Sequence, residues 1–294
     1  MPVTTRDGVS LHYEHERHGS EPVVLVGDLA WGRWQWRWQR EILAGDWDVL
    51  APDTRGTDRS DTGLPPVLPR LPRRLRTRLL TGRGAYTVGG LAADLEAVLE
   101  DARARDVHLV GVGLGGAVAL RYALEHRRAA SLTLIGATPG GEAATGLEDE
   151  AREQLLTTAG QTRRAVLRKR LRPLFSERFR NRNPHLLDRL IEWQLEQGAP
   201  DPALEAQLGA FTAFDVSDRL SSVRVPTLVI HGADDRLVPV EDGHLLAQAV
   251  SDSRLLEVEG AGHACHIERD DEVTSRLEDF LLEVTDGPID RIDL

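Results

Sequence analysis

Apolar and polar positions switch between two periods along this chain, and the switches mark its elements. The opening VTTRDGVSLHYEHE alternates apolar and polar residues on both sides of Asp7-Gly8, which predicts a hairpin. Short apolar runs follow at PVVLV (22–26), WDVLAPD (47–53), VHLVG (107–111), SLTLIGA (131–137), PTLVIHG (226–232) and SRLLEVEG (253–260). Runs of this length, bounded by Gly, Pro or Asp, predict strands buried on both faces of a parallel sheet. Between them the period becomes that of a helix. RWQWRWQREIL (33–43), VGGLAADLEAVLEDAR (88–103) and residues 114–126, 241–250 and 271–284 predict helices. Leu91, Leu95, Val98 and Leu99 fall on one face of the second of these. Strands alternating with helices predict an α/β protein whose mostly parallel sheet is covered on both faces.

Residues 142–215 break this rhythm. Arg, Glu and Leu recur there at helical spacing with no strand-like run, which predicts a helical segment inserted into the core. The expected division is a core of residues 1–141 and 216–285, the helical insertion at 142–215, and a loose tail at 286–294. Residues 64–84 carry six arginines interleaved with leucines. They read as a solvated loop; a lid flap, an anion-steering patch or a membrane-surface segment are the other readings.

Composition adds bounds. A chain of 294 residues, 41% hydrophobic and 28% charged, suits one large domain or a core with an insertion. No apolar run approaches the ~20 residues of a membrane span. The first residues lack the basic and apolar regions of a secretory signal. Cys265 is the only cysteine, so no internal disulfide forms, which fits a reducing cytoplasm. The net charge of −11 argues against a nucleic-acid partner. Lys169 is the only lysine, a bias that fits either a GC-rich genome or a salt-adapted surface. A small-molecule partner is expected, and no cofactor or metal.

In parallel sheets ligands gather beyond the carboxyl ends of the strands, so the residues following each strand are the candidates for chemistry. After 107–111 the chain reads GVGLGG (111–116), a tight glycine turn opening a helix. Gly111, Gly115 and Gly116 allow the backbone segments to approach closely. The helix that follows points its free N–H groups at the site. After TLVIHG comes ADDRLVP, and after LLEVEG comes AGHACH: an acid on one loop and a histidine on the next.

Five pieces in this order, VVLVGD, VLAPDTRGTDRSD, VHLVGVGLGG, PTLVIHGADDRLVP and EGAGHACHIE, resemble the α/β-hydrolase superfamily over residues 1–285. The inserted helices fall where that family carries its cap. The resemblance implies an α/β-hydrolase fold with an eight-stranded sheet. It also implies Asp235 as the acid that orients His263, His263 as general base, and the amides of Leu114 and Asp28 as oxyanion donors. Asp234, one residue early, is the other candidate acid. His266 is expected to pack or to cap the last helix, and Cys265 to fill space.

Two departures from the family matter. Its elbow is G-x-S-x-G; here the five residues are Gly111, Val112, Gly113, Leu114 and Gly115, so the nucleophile position holds Gly113. The family's His-Gly after the first parallel strand is Val26-Gly27 here, and Asp28 follows. In relatives such as haloalkane dehalogenases the side chain at that position faces the site. An inward Asp28 places negative charge where an oxyanion would be stabilised; turned outward, it caps the helix near Gly32. Gly27, Val112 and Trp31 complete the expected lining. Trp31, Trp34 and Trp38 share a helical face suited to core packing, with Trp31 nearest the pocket mouth and able to stack on a flat substrate.

Loss of the nucleophile costs a serine hydrolase about 10⁶ in turnover, and glycine offers no side chain to activate. The reading is therefore a protein acting on a small organic substrate of ester, lactone or carbonyl type. The His263–Asp235 dyad would act on water or substrate directly, in hydrolysis or in cofactor-independent lyase or isomerase chemistry. Two alternatives stand beside it. One is a non-catalytic ligand-binding or interaction protein on the same fold. The other is a serine hydrolase whose nucleophile was replaced by glycine.

Overall fold

Eight strands join in one sheet in the computed structural model: Val3–Arg6 (β1), Val9–Glu16 (β2), Pro22–Val26 (β3), Asp48–Pro52 (β4), Val107–Val112 (β5), Ala129–Ile135 (β6), Thr227–Gly232 (β7) and Ser253–Val258 (β8). The structure describes residues 1–18, 21–82 and 85–286. The order across the sheet is β1-β2-β4-β3-β5-β6-β7-β8. β1 and β2 are the antiparallel hairpin set by Asp7-Gly8, β2 meets β4 antiparallel, and every later pairing is parallel. The α/β-hydrolase architecture expected from the sequence is the one observed.

Twelve α-helices accompany the sheet among the described residues: Arg37–Leu43 (α1), Arg73–Gly82 (α2), Val88–Ala102 (α3), Leu114–Glu125 (α4), Asp149–Leu155 (α5), Arg163–Arg170 (α6), Glu177–Arg182 (α7), Pro184–Gln197 (α8), Asp201–Thr212 (α9), Val240–Ala249 (α10), Cys265–Glu268 (α11) and Asp270–Asp286 (α12). The continuous apolar strands are explained by the two layers they serve. Val24, Val26, Leu109 and Leu132 point to a core shared with α3 and α4. Val23, Leu25, Val110 and Ile135, one residue out of phase, point to a second core shared with α1 and α12. Thr87 caps α3 by accepting from the Gly90 amide at 3.0 Å, which is why the helix starts there. No described helix is long and apolar enough to cross a membrane.

Two expectations change. RWQWRWQREIL is not one helix: a 3-10 turn over Arg33–Trp36 precedes α1. Trp36 goes to the second core, while Trp31 and Trp34 go to the first. The arginine-rich stretch is not a solvated loop over its described part. It forms a short 3-10 turn at Leu68–Arg70 and then α2, which docks on α9. Arg76 is buried there, its guanidinium forked on Glu205 at 2.9 and 2.8 Å. Residues 83–84, and the tail from 287 onward, lie outside the described residues.

The segment between β6 and β7 contains α5 to α9 and no strand among the described residues. An isolated bridge between Gly140 and Asp215 draws its two ends together. Its helices grip the loop after β3 at Ala30. The Ala30 amide donates to Gln207 Oε1 at 2.7 Å, and its carbonyl accepts from Gln194 Nε2 at 2.8 Å and the Ala199 amide at 3.0 Å. Ala30 has φ 61°, a strained left-handed position for a residue with a side chain, and these three bonds hold it there.

Candidate active site

Register places the site. Val26 of β3 pairs with Gly111 of β5, so the loop after β3 and the elbow after β5 leave the sheet side by side. The crossing is close: a Cβ at Gly115 would lie 2.1 Å from the Val26 carbonyl oxygen. Gly113 caps α4 with φ 50° and ψ −112°, a strained geometry that side chains rarely adopt. The turn thus takes this strained shape with no side chain at its apex.

Asp28 fills the space that a side chain at Gly113 would take. Its Oδ1 accepts from the Leu114 amide at 3.0 Å. A Cβ built on Gly113 would fall 2.1 Å from that oxygen, 2.7 Å from Asp28 Cγ and 3.0 Å from His263 Nε2. Of the two orientations open in the sequence, Asp28 takes the inward one. No side chain caps the turn at Gly32.

His263 lies between two carboxylates. Its Nδ1 is 2.7 Å from Asp235 Oδ2, and its Nε2 is 3.3 Å from Asp28 Oδ2, an ion-pair contact without a well-directed hydrogen bond. All three side chains are withdrawn from solvent, at 3% exposure or less. Burial alone would disfavour the imidazolium, but the charges of Asp235 and Asp28 outweigh it and push His263 up to about 10. Burial likewise opposes the Asp235 carboxylate, yet His263 and His231 hold it well below the usual range. The upward direction favours the protonated form of His263, held between the Asp235 and Asp28 side chains.

Asp235 is oriented from its own loop. Its Oδ1 accepts from the amides of Leu237 and Val238 at 2.8 and 3.0 Å, leaving Oδ2 for His263. The other candidate, Asp234, is exposed on the same loop. His266 packs against Trp36, with ring centroids 5.2 Å apart, and does not cap α12. Burial and the neighbouring His263 charge drive His266 down to about 3. Cys265 is fully buried, and its thiol is pushed up by burial.

The two amides expected to stabilise an oxyanion are both engaged. Leu114 N–H is given to Asp28, and Asp28 N–H to Gln35 Oε1 at 3.2 Å. The remaining lining residues also fall elsewhere. Val112 is in the second core, and Gly27 lies against Gln35, which leaves no room for a side chain. Trp31 is buried, tilted against Trp34 and stacked on Phe175 of the insertion, with centroids 4.7 and 6.1 Å away.

Three supporting residues were not singled out in the sequence. Gln35 holds the Asp28 amide and anchors itself on the Gly32 carbonyl at 3.1 Å. His231, a polar residue inside the apolar β7, stands 3.3 Å from Asp235 and bonds the Val238 carbonyl at 2.9 Å. Glu268 accepts from the amides of Ser176 and Gly262 at 2.7 and 2.9 Å, tying the His263 loop to the insertion. Of these only His231 carried a signal, a histidine within a buried strand.

A family model described as alpha/beta hydrolase fold matches residues 21–270. The chain belongs to this family. Among curated members of the alpha/beta hydrolase family, it is 28% identical over 270 residues to "Putative carbamate hydrolase RutD" of Azorhizobium caulinodans, covering 90% of this chain and 92% of that one. It is 30% identical over 255 residues to the protein of the same name from Pseudomonas syringae, covering 85% and 90%. Among solved structures, an enol-lactonase from Burkholderia xenovorans superposes with a TM-score of 0.79 at 22% identity, covering 96% of this chain and all of that one (100%). An N-acyl homoserine lactone degrading enzyme superposes at 0.77 with 24% identity, covering 95% and 100%. At such identities these two share the alpha/beta hydrolase fold with this chain.

Proposed function

We propose that this alpha/beta hydrolase is an enzyme acting on a small organic substrate of ester, lactone or carbonyl type. It would work by acid–base chemistry among Asp28, His263 and Asp235, with no covalent intermediate on a serine. The observation that carries this reading is the Asp28 carboxylate, set in the space of the missing side chain and touching both the Leu114 amide and His263. The curated relatives named as carbamate hydrolases support a substrate with a carbonyl at its centre.

The dyad expected to serve as base acts here with a third member. Asp28 accepts a proton from water or from a carbon acid, while the imidazolium keeps its partner in Asp235. In hydrolysis the resulting hydroxide adds to the carbonyl, and Nε2–H is given to the leaving oxygen or nitrogen. Asp28 then returns its proton to Nε2, closing the cycle with no net change in the enzyme. With both amides engaged, charge on the substrate oxygen is met by the imidazolium. A lyase or isomerase step uses the same two transfers without the water. Because the three side chains are buried, substrate entry requires the inserted helices to shift from the Ala30 and Ser176 contacts.

The same burial, with both amides internally satisfied, favours a second reading: a non-catalytic ligand-binding protein in which Asp28 plugs the old site. Replacement of a serine in an otherwise unchanged hydrolase fits less well, since Asp28 fills the space that serine would need. Turnover on a panel of short esters, lactones and carbamates separates these readings. The expected result is steady turnover with no initial burst, unchanged by a serine-directed phosphonylating reagent. Inhibition by that reagent would overturn the serine-free mechanism, and inertness across the panel together with ligand binding would favour the second reading.

A further inference from the structure

A second charged feature lies outside the triad. Arg172, Arg180 and Arg236 line one groove with a cavity volume of about 400 Å³, within the range of small-ligand sites. They come from three separate elements: the 3-10 turn Arg172–Leu174, α7, and the loop that carries Asp235. Several arginines elsewhere in this acidic chain bind carboxylates, Arg33, Arg55, Arg76, Arg128 and Arg170 among them. These three make no ion pair among the described residues, and Arg180 Nε is buried without a hydrogen-bond partner. The groove's own acids, Glu148 and Glu150 at the start of α5, stay outside ion-pair distance of them. Arg172 and Arg236 are exposed and Arg180 is half-buried, so an oxyanion from solvent could reach and bridge all three guanidiniums. Burial and repulsion from Arg172 and Arg236 lower the Arg180 pKa, against the opposing pull of Glu177 and Glu268.

We propose that Arg172, Arg180 and Arg236 form a binding site for a small, multiply charged oxyanion, a phosphate or a dicarboxylate. The site abuts the candidate active site on two sides. Arg236 follows Asp235 directly. The Leu174 carbonyl, two residues past Arg172, accepts from the Ala264 amide at 2.8 Å, next to His263. An anion held here would therefore brace both loops of the triad whether it is part of a substrate or a separate ligand.

Titration calorimetry on the full chain tests this, with inorganic phosphate and succinate as separate probes at about 0.15 M salt. The expected result is single-site binding of at least one probe with Kd below about 1 mM. Arg180→Gln and Arg236→Gln should each weaken it about tenfold or more. Arg105→Gln, an exposed arginine outside this groove, should leave it unchanged. Preference for phosphate would mark a phosphate ester as the natural ligand, and preference for succinate a dicarboxylate. No binding of either probe overturns the proposal, as does equal binding by both groove variants with circular dichroism matching the parent.

Discussion

Gly113→Ser is expected to lower stability by about 1–3 kcal/mol and to bring ester hydrolysis below the parent level. In an ordinary elbow this change would supply the missing nucleophile. Here the new Cβ would stand 2.1 Å from Asp28 Oδ1 and 2.7 Å from Cγ, so one group must yield. The serine would also find the Leu114 amide already bonded to Asp28. Adding Asp28→Ala removes the obstruction and frees that amide, leaving the new side chain beside His263 Nε2 and His263 on Asp235. The double variant is expected to regain most of the lost stability and to hydrolyse short esters about a hundredfold faster than the single one. The gain stays below that of a full serine hydrolase because Gln35 still holds the Asp28 amide. Denaturation midpoints and initial rates of the parent, both single variants and the double variant form the cycle, and strong coupling between the two sites is its expected signature. A single Gly113→Ser variant as active as the double one would contradict the account.

Asp28→Asn keeps the shape of the plug and removes its charge. Turnover is expected to fall about 10²–10⁴-fold, the usual worth of a positioned acid–base group. Stability should also change in a way that depends on pH. In the parent, the folded His263 pKa of about 10 lies above its ordinary 6.5. The stabilisation from this group is therefore complete below about pH 6.5 and is lost as pH rises through about 10. For Asp235, whose pKa is depressed, the sign is opposite: its contribution is present above the ordinary value of 3.8 and is lost as pH falls through the lower folded value. In Asp28→Asn, His263 keeps only one of its two carboxylates, so the alkaline loss should be smaller and should end at lower pH. Urea midpoints followed from neutral to alkaline pH check this; parallel curves for parent and variant would show that Asp28 and His263 are not coupled.

Much of the fold was legible because it rests on local pattern. Continuous apolar runs marked the parallel strands, since residues on both faces of each strand are buried. The loops after β7 and β8 announced an acid and a histidine by chain order alone. What could not be read depends on partners distant in sequence. The inward turn of Asp28 follows from the β3–β5 register and the Leu114 amide, 86 residues away. The helix within the arginine-rich stretch is anchored by Glu205, 129 residues from Arg76. Asp28 and Leu114 were both in view as amide donors. That each amide is already bonded within the protein follows from side chains whose direction no local pattern sets.

The central claim is that Asp28, in the space of a Gly113 side chain, is coupled to His263. Nitrogen-15 and proton NMR of the His263 ring tests it most directly. Both ring nitrogens should be protonated at pH 8, with a titration near 10 that moves lower in Asp28→Asn. A neutral His263 at pH 8, titrating near the ordinary 6.5 and indifferent to Asp28→Asn, would contradict the account.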